Sequence, residues 1–309
     1  MDQSKSVMSQ RSILRVVIPH FFREGANVKY ASGQVGNRFR RQLAFARCLG
    51  SVLSLNRSTQ DLTVNHADHV LEPVPPVARA SSLNLFVELH LFVSGDDYLT
   101  EVVHEFRHRL HLHRLQLPDP RDLPLASVRW LLEQSADHSF ALILEDDLVV
   151  SDPAFVHKQV WFTYSSDHRY ILMPHRYEIC DVNAPLRLFV DGPIRDDCSP
   201  YKVCVAGDEA VIFRGQFKGN GHLEFVEASN PHSGSLFLTP PQLQHLKQQK
   251  WPPNTFVSPL ETATAGVVLP YFPILKPHWE HRDFCSIEHA NPTYLPYLQK
   301  LSVRRRPVQ

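Results

Sequence analysis

Apolar runs of strand length alternate with helical periodicities through the first 150 residues. Residues 13–22 (ILRVVIPHFF) form one such run, ended by Pro19 and His20. Residues 23–35 are polar, contain Gly25 and Gly33, and read as a loop. Over residues 38–53 the apolar positions Phe39, Leu43, Ala46 and Leu49/Gly50 recur at helical spacing, with Asn37 placed to cap the helix. Residues 62–65 suit a short strand, and 71–82 are a proline- and serine-rich connection. Residues 83–93 (LNLFVELHLFV) predict a second long strand. Ser94-Gly95-Asp96-Asp97 then caps a helix over 98–108. A strand over 109–117, a loop over 118–124 and a helix over 125–136 lead to the wholly apolar strand 140–144, which runs into Glu145-Asp146-Asp147. Strands and helices in alternation predict an α/β chain with a mostly parallel, Rossmann-like sheet covered by helices.

Beyond residue 150 the pattern changes. Short strands are predicted over 187–190, 201–205, 210–213 and 222–226, with turns at Asp191-Gly192-Pro193 and Gly207-Asp208. This half reads as smaller, antiparallel and loop-rich. Thr239 precedes a helix that starts with Pro240-Pro241, and Ser258 precedes another with Pro259 at its first position. The expected organisation is one domain in two halves, 13–150 and 151–290, with a tail over 291–309.

Composition narrows the classes. At 309 residues, 43% hydrophobic and 21% charged, the chain is an ordinary globular one. Its 32 basic residues balance 32 acidic ones, which gives no global case for nucleic acid. No apolar run approaches the ~20 residues of a membrane span, and the N-terminal stretch lacks a signal pattern. Five unpatterned cysteines fit a cytoplasmic location better than a disulfide scaffold. Arg304, Arg305 and Arg306 offer a peripheral contact with an anionic membrane.

The acidic triplet carries the candidate chemistry. Ligands of open α/β sheets bind at the carboxyl ends of the strands. Strand alternation puts Glu145 and Asp147 on one side and Asp146 on the other. Two carboxylates facing one way call for a cation, and hard divalent ions such as Mn²⁺ or Mg²⁺ share oxygen ligands with substrate phosphates. The plainer reading is a solvated loop, with Asp152 capping the next helix.

The βα first half, the strand and triplet Leu142-Ile143-Leu144-Glu145-Asp146-Asp147 and an antiparallel second half together resemble a glycosyltransferase of the GT-A fold. That resemblance implies sugar transfer from a nucleotide-sugar donor, UDP-linked by expectation, to a glycan or lipid-linked acceptor. It also implies Mn²⁺ or Mg²⁺ as cofactor. By the same resemblance, Asp147 and Glu145 are metal-site residues, with a late histidine, His281, beside them. His278 and His289 are equally available by spacing. Pro19, Arg23, Arg38, Asp97, Glu145 and Asp146 are the expected donor-binding residues. Arg40 and Arg41 are further arginines able to pair with phosphate. A glutamate in the first acidic position departs from the family's commonest pattern, which weakens the role of Glu145 relative to Asp147.

An inverting transfer needs a base. Glu261 in SPLETA is placed for it, although Ser258-Pro259-Leu260-Glu261 is also a helix-capping box. Glu209 and His232 are weaker candidates. His104-Glu105-Phe106-Arg107-His108 matches HExxH, so a zinc metallopeptidase is the competing reading. Among 18 histidines a chance match is unsurprising, and the charged Arg107 and Arg109 suit the motif poorly. A non-catalytic carbohydrate-binding relative is a third possibility. The chain contains no GxxxxGK[ST], no GxGxxG and no glycine-rich basic signature of a sugar nucleotidyltransferase.

Overall fold

The computed structural model describes residues 12–25, 33–56, 62–74, 84–134, 139–180, 186–192, 194, 210–217, 219, 221–250 and 258–295. The strand expected over 201–205, the turn at Gly207-Asp208, the candidate Glu209 and the three tail arginines lie outside them.

β1 (Ser12–His20) is buried on both faces. Leu14, Val16 and Ile18 enter one core with Phe45, Cys48 and Leu49, whereas Val17 enters a second with Leu125, Val128 and Leu131. Period-2 side-chain alternation thus divides a continuous apolar run between two layers. The helix α1 (Arg38–Leu53) covers the first face. Its ends match expectation, but its orientation does not. The inward positions are Arg41, Ala44, Phe45, Cys48, Leu49 and Val52, while Phe39 is 72% exposed and Leu43 also faces out. The helix is turned so that a charged side chain, Arg41, reaches the interior. Asn37 occupies the cap position without a side-chain cap bond.

β2 (Leu62–Asn65) and β3 (Val70–Pro73) form a separate antiparallel hairpin, so the expected connection begins as a strand. Then come β4 (Leu85–Ser94), α2 (Thr100–Phe106), β5 (His111–Leu115), α3 (Leu123–Gln134) and β6 (Ser139–Leu144). The second half contributes β7 (Leu148–Val149), α4 (Phe155–Ser165), β8 (Ile171–Leu172), β9 (His175–Cys180), β10 (Leu186–Phe189), β11 (Val211–Gln216), β12 (His222–Glu227) and β13 (Ser235–Leu238). It ends with α5 (Pro240–Lys247), α6 (Pro259–Glu261), β14 (Ile274–Pro277) and β15 (Ser286–His289). Thr239 and Gln242 form the capping box that starts α5.

The central sheet runs β13-β6-β1-β4-β5. Its four first-half strands are parallel, and β13 is antiparallel at one edge. The fold is therefore α/β with a mostly parallel sheet. Two smaller sheets, β10-β9-β15-β7 and β11-β12-β14-β8, are mainly antiparallel, each with one parallel pair. β13 comes from the half expected to bind acceptor, yet it completes the sheet of the other half.

Strand order fixes where a ligand can sit. From β1 the chain moves outward through β4 and β5, then crosses back to β6 on the opposite side of β1. Between β1 and β6 the connections diverge, and this opens a crevice at the carboxyl ends of the strands. The triplet Glu145-Asp146-Asp147 stands at that crevice, in the turn that carries the chain from β6 into β7 of the second sheet.

Candidate functional site

A cavity of about 400 Å³ occupies this position. Pro19 and Phe21 line it from the end of β1, Glu145, Asp146 and Asp147 from the end of β6, and Arg41 from α1. Pro120, Arg121, Leu123 and Pro124 form a second wall at the start of α3. Ser258, Pro259, Leu260, Asn291 and Thr293 close it from the second half.

The three carboxylates divide differently from strand alternation. β6 ends at Leu144, and the turn at 146–147 redirects the backbone. Asp146 and Asp147 consequently share one cation: Arg41 donates through Nη2 to both oxygens of Asp146 (2.7 and 2.8 Å) and through Nη1 to Asp147 Oδ2 (2.7 Å). Glu145 turns elsewhere, toward Arg176 Nη1 (3.6 Å) and His232 Nε2 (3.5 Å). The expected same-side pairing of Glu145 with Asp147 is therefore replaced by an Asp146–Arg41–Asp147 bridge. Asp146 is also bonded to His20 Nδ1, whose ring stacks on Phe45 and whose Nε2 accepts from Leu99 N–H.

Glycine is required beside Glu145. Gly234 has φ +65°, and a Cβ built there would lie 2.6 Å from the Glu145 carboxyl carbon. Its carbonyl accepts the Glu145 N–H (2.9 Å), just before β13 begins. Burial pushes the Glu145 carboxyl up, and Arg176 only partly offsets this. For Asp147 burial also acts upward, but His289 and Arg41 outweigh it and hold the group well below the usual carboxylate range.

His289, at the end of β15, is the histidine brought to the triplet. Its Nε2 lies 3.5 Å from Asp147 Oδ2, and its Nδ1 bonds to Glu178 Oε1 at 2.9 Å. Burial opposes its charge, but Asp147 and Glu178 raise its pKa to about 10. His281, the expected candidate, sits instead in the short helix Trp279–Phe284 near His278 and does not line the cavity. The reason is topological: β15 is drawn between β7 and β9, and this carries His289 inward.

Arg23 and Asp97 pair with each other at the surface, and Arg38 pairs with Glu101 on the exposed side of α1. None of these three expected donor-binding residues lines the cavity, whereas Pro19, Glu145 and Asp146 do. Glu261 follows directly on the lining residues Ser258, Pro259 and Leu260, and its N–H donates to Ser258 Oγ (3.3 Å). His232 is buried beside Glu145, with its backbone carbonyl accepting from Lys276 Nζ. Asp152 caps the turn into α4 and pairs with Lys158.

Sequence reasoning misses Arg121, Arg176, Glu178, Asp191 and Asn291. Arg121 reaches the cavity with no carboxylate partner among the described residues. Arg176 is locked on Asp191, which burial would raise but which Arg176 and Lys276 hold low. Only Gly192 after Asp191, a turn signal, hints at any of these.

The HExxH segment does not build a metal site. α2 ends at Phe106, so His108 lies beyond it, and the exposed His104 bonds to Arg107. Among the described residues no three or more His, Cys, Asp or Glu side chains converge on one point. Asp147 lines the cavity and His289 lies directly behind it; the two make a two-residue donor set once the ring releases its Nε2 proton, with Glu178 accepting from the outer ring nitrogen. Metal-bound histidines are commonly held this way. Divalent ions at phosphate-binding sites usually take one or two protein ligands and complete their shell with phosphate oxygens and water. The residues therefore fit an ion that arrives with a diphosphate, and do not fit a closed protein cage.

No family model matches the chain, and no curated protein matches it. Solved structures similar to it include TarS 1–349 of S. aureus, at TM-score 0.40 and 12% identity over 86% of this chain. The chain spans 58% of the length of that protein. Another is GalNAc-T7 with UDP, GalNAc and Mn²⁺, at TM-score 0.43 and 11% identity over 90% of this chain and 43% of that one. A third is 4-diphosphocytidyl-2C-methyl-D-erythritol synthase from Anaerococcus prevotii DSM 20548, at TM-score 0.35 and 8% identity over 87% of this chain and 90% of that one. Likeness of this degree carries no argument about activity.

Proposed function

We propose that the chain transfers a glycosyl group from a nucleotide-sugar donor, UDP-linked by first choice, to a hydroxyl of a glycan or lipid-linked acceptor. One observation carries this reading: the cavity at the β1–β6 switch point is lined by an acidic strand end, backed by His289 against Asp147, and by Arg121, which has no carboxylate partner among the described residues. Charged groups thus face the cavity from both the β6 end and the start of α3, and most of the remaining lining residues are apolar.

In this proposal Asp147 and His289, the ring giving up its Nε2 proton to solvent, would hold Mn²⁺ or Mg²⁺, which supplies charge neutralisation at the departing diphosphate. Arg121 binds a donor phosphate oxygen. Pro19, Phe21, Pro120 and Pro124 form a dry wall that limits loss of the activated sugar to water. Glu261 takes the proton of the acceptor hydroxyl as its oxygen bonds to the anomeric carbon and the sugar–phosphate bond breaks. Residues 13–150 together with β13 act as the nucleotide half, and the remainder of 151–290 shapes the acceptor side.

Thermal melting with UDP, Mn²⁺ and both together tests the assignment, followed by a screen of nucleotide sugars for hydrolysis and transfer. Joint stabilisation by UDP and Mn²⁺ that is absent in Asp147→Ala supports it. An Asp147→Ala protein that responds like the parent rejects the site. Glycan binding with neither hydrolysis nor transfer of any donor rejects catalysis.

A further inference from the structure

Glu178 touches none of the reacting groups of the proposed transfer, yet it is fully buried on β9 and joins His289, behind Asp147, to a segment of the cavity wall at Thr293. Its Oε1 accepts from His289 Nδ1 (2.9 Å), Thr293 N–H (2.8 Å) and Tyr294 N–H (3.1 Å). Its Oε2 accepts from Tyr294 N–H (3.1 Å) and Leu295 N–H (2.9 Å). Three successive amides converging on one anion form a backbone nest. Here the anion is a side chain of the same chain, and burial makes its full set of donors obligatory.

We propose that Glu178 is the positioning residue of the site: one carboxylate aims the His289 ring at Asp147 and fixes residues 293–295 behind the cavity wall. The imidazole has no freedom to rotate, because its Nδ1 is committed to Glu178 while its Nε2 faces Asp147. Thr293, on the same oxygen, lines the cavity. Ring and wall are therefore set by a single group. The inference rests on the proposed function for the ion held at Asp147 and His289. The bonds that define the geometry stand apart from it.

The test uses Glu178→Gln, His289→Ala and the double variant in the full chain. Mn²⁺ uptake with UDP is read by water-proton relaxation, and amide exchange is read over 293–295. Glu178→Gln keeps an acceptor for His289 but turns an amide donor toward the nest. It is expected to weaken Mn²⁺ binding about 10–100-fold and to speed exchange at 293–295. In the His289→Ala background the same change should leave residual Mn²⁺ binding unaltered, because Glu178 acts through the ring. Should Glu178→Gln fold poorly, Glu178→Asp, which keeps the charge but shortens its reach, gives the same comparison. Unchanged Mn²⁺ affinity in the single variant, or equal weakening with and without His289, overturns the inference while leaving the proposed function intact. A parent that takes up no Mn²⁺ with UDP overturns the proposed function itself.

Discussion

Two parallel strands of the central sheet end, at the same edge, in paired aspartates. After β4 come Asp96 and Asp97, and after β6 come Asp146 and Asp147. Asp96 is 87% exposed and pairs with Arg114, while Asp97 pairs with the exposed Arg23. The β6 pair is enclosed by Arg41, His20 and His289. Each pair follows its strand after one intervening residue, Gly95 in the first case and Glu145 in the second. What separates them is the neighbour: β6 borders the switch point, where a crevice must open, whereas β4 lies between β1 and β5 and its loop is left to solvent. Carboxylates at the first position need internal cations, and at the second they use whatever surface arginine is at hand.

The sharpest way to break the contrast is Arg41→Leu. It leaves two buried carboxylates without their shared cation and should cost about 3–5 kcal/mol in urea unfolding. Next is Gly234→Ala, which forces a side chain into left-handed backbone and into the Glu145 carboxyl. Roughly 2 kcal/mol is expected, accompanied by loss of any UDP–Mn²⁺ response in thermal melting.

A smaller effect belongs to the opposite end of the sheet. There His90 of β4 lies against His111 and His113 of β5 and Trp130 of α3. Burial, reinforced by His111 and His113, holds His90 down at about 3, against its ordinary 6.5. Between those values the unfolded chain takes up a proton that the folded chain refuses, so stability falls as pH drops below 6.5. His90→Phe should therefore gain up to about 1 kcal/mol relative to the parent at pH 5 compared with pH 8, as read from paired melts. Smallest of all is Asp97→Ala at the surface pair, expected to stay within about 0.5 kcal/mol and to leave ligand responses unchanged. A large loss there would erase the distinction between the two loops.

Legibility in the sequence tracks the range of the interactions. The ends of α1, the strand over 140–144 and the Thr239 cap depend on local pattern, and they are readable. The inner face of α1 is not, because counting apolar positions favours Phe39 and Leu43, while the tertiary need is a guanidinium between two carboxylates. The acidic triplet stands out because three carboxylates follow a wholly apolar strand. Choosing among late histidines is beyond spacing, since β15 selects His289 by pairing with β7 and β9. Glu178 gives no signal at all: its function is to receive amides that lie more than a hundred residues downstream.

β13 and β15 return from late in the chain to finish structures begun early, and this places the site at the end of folding. Arg47 of α1 waits for Glu288, 241 residues away, and β6 keeps an open edge until β13 arrives. Closing such long loops is slow, and the unpaired edge is vulnerable to other chains in the interval. During synthesis the first 150 residues can assemble most of a sheet, but the cavity has no rear wall until residue 293 has left the ribosome.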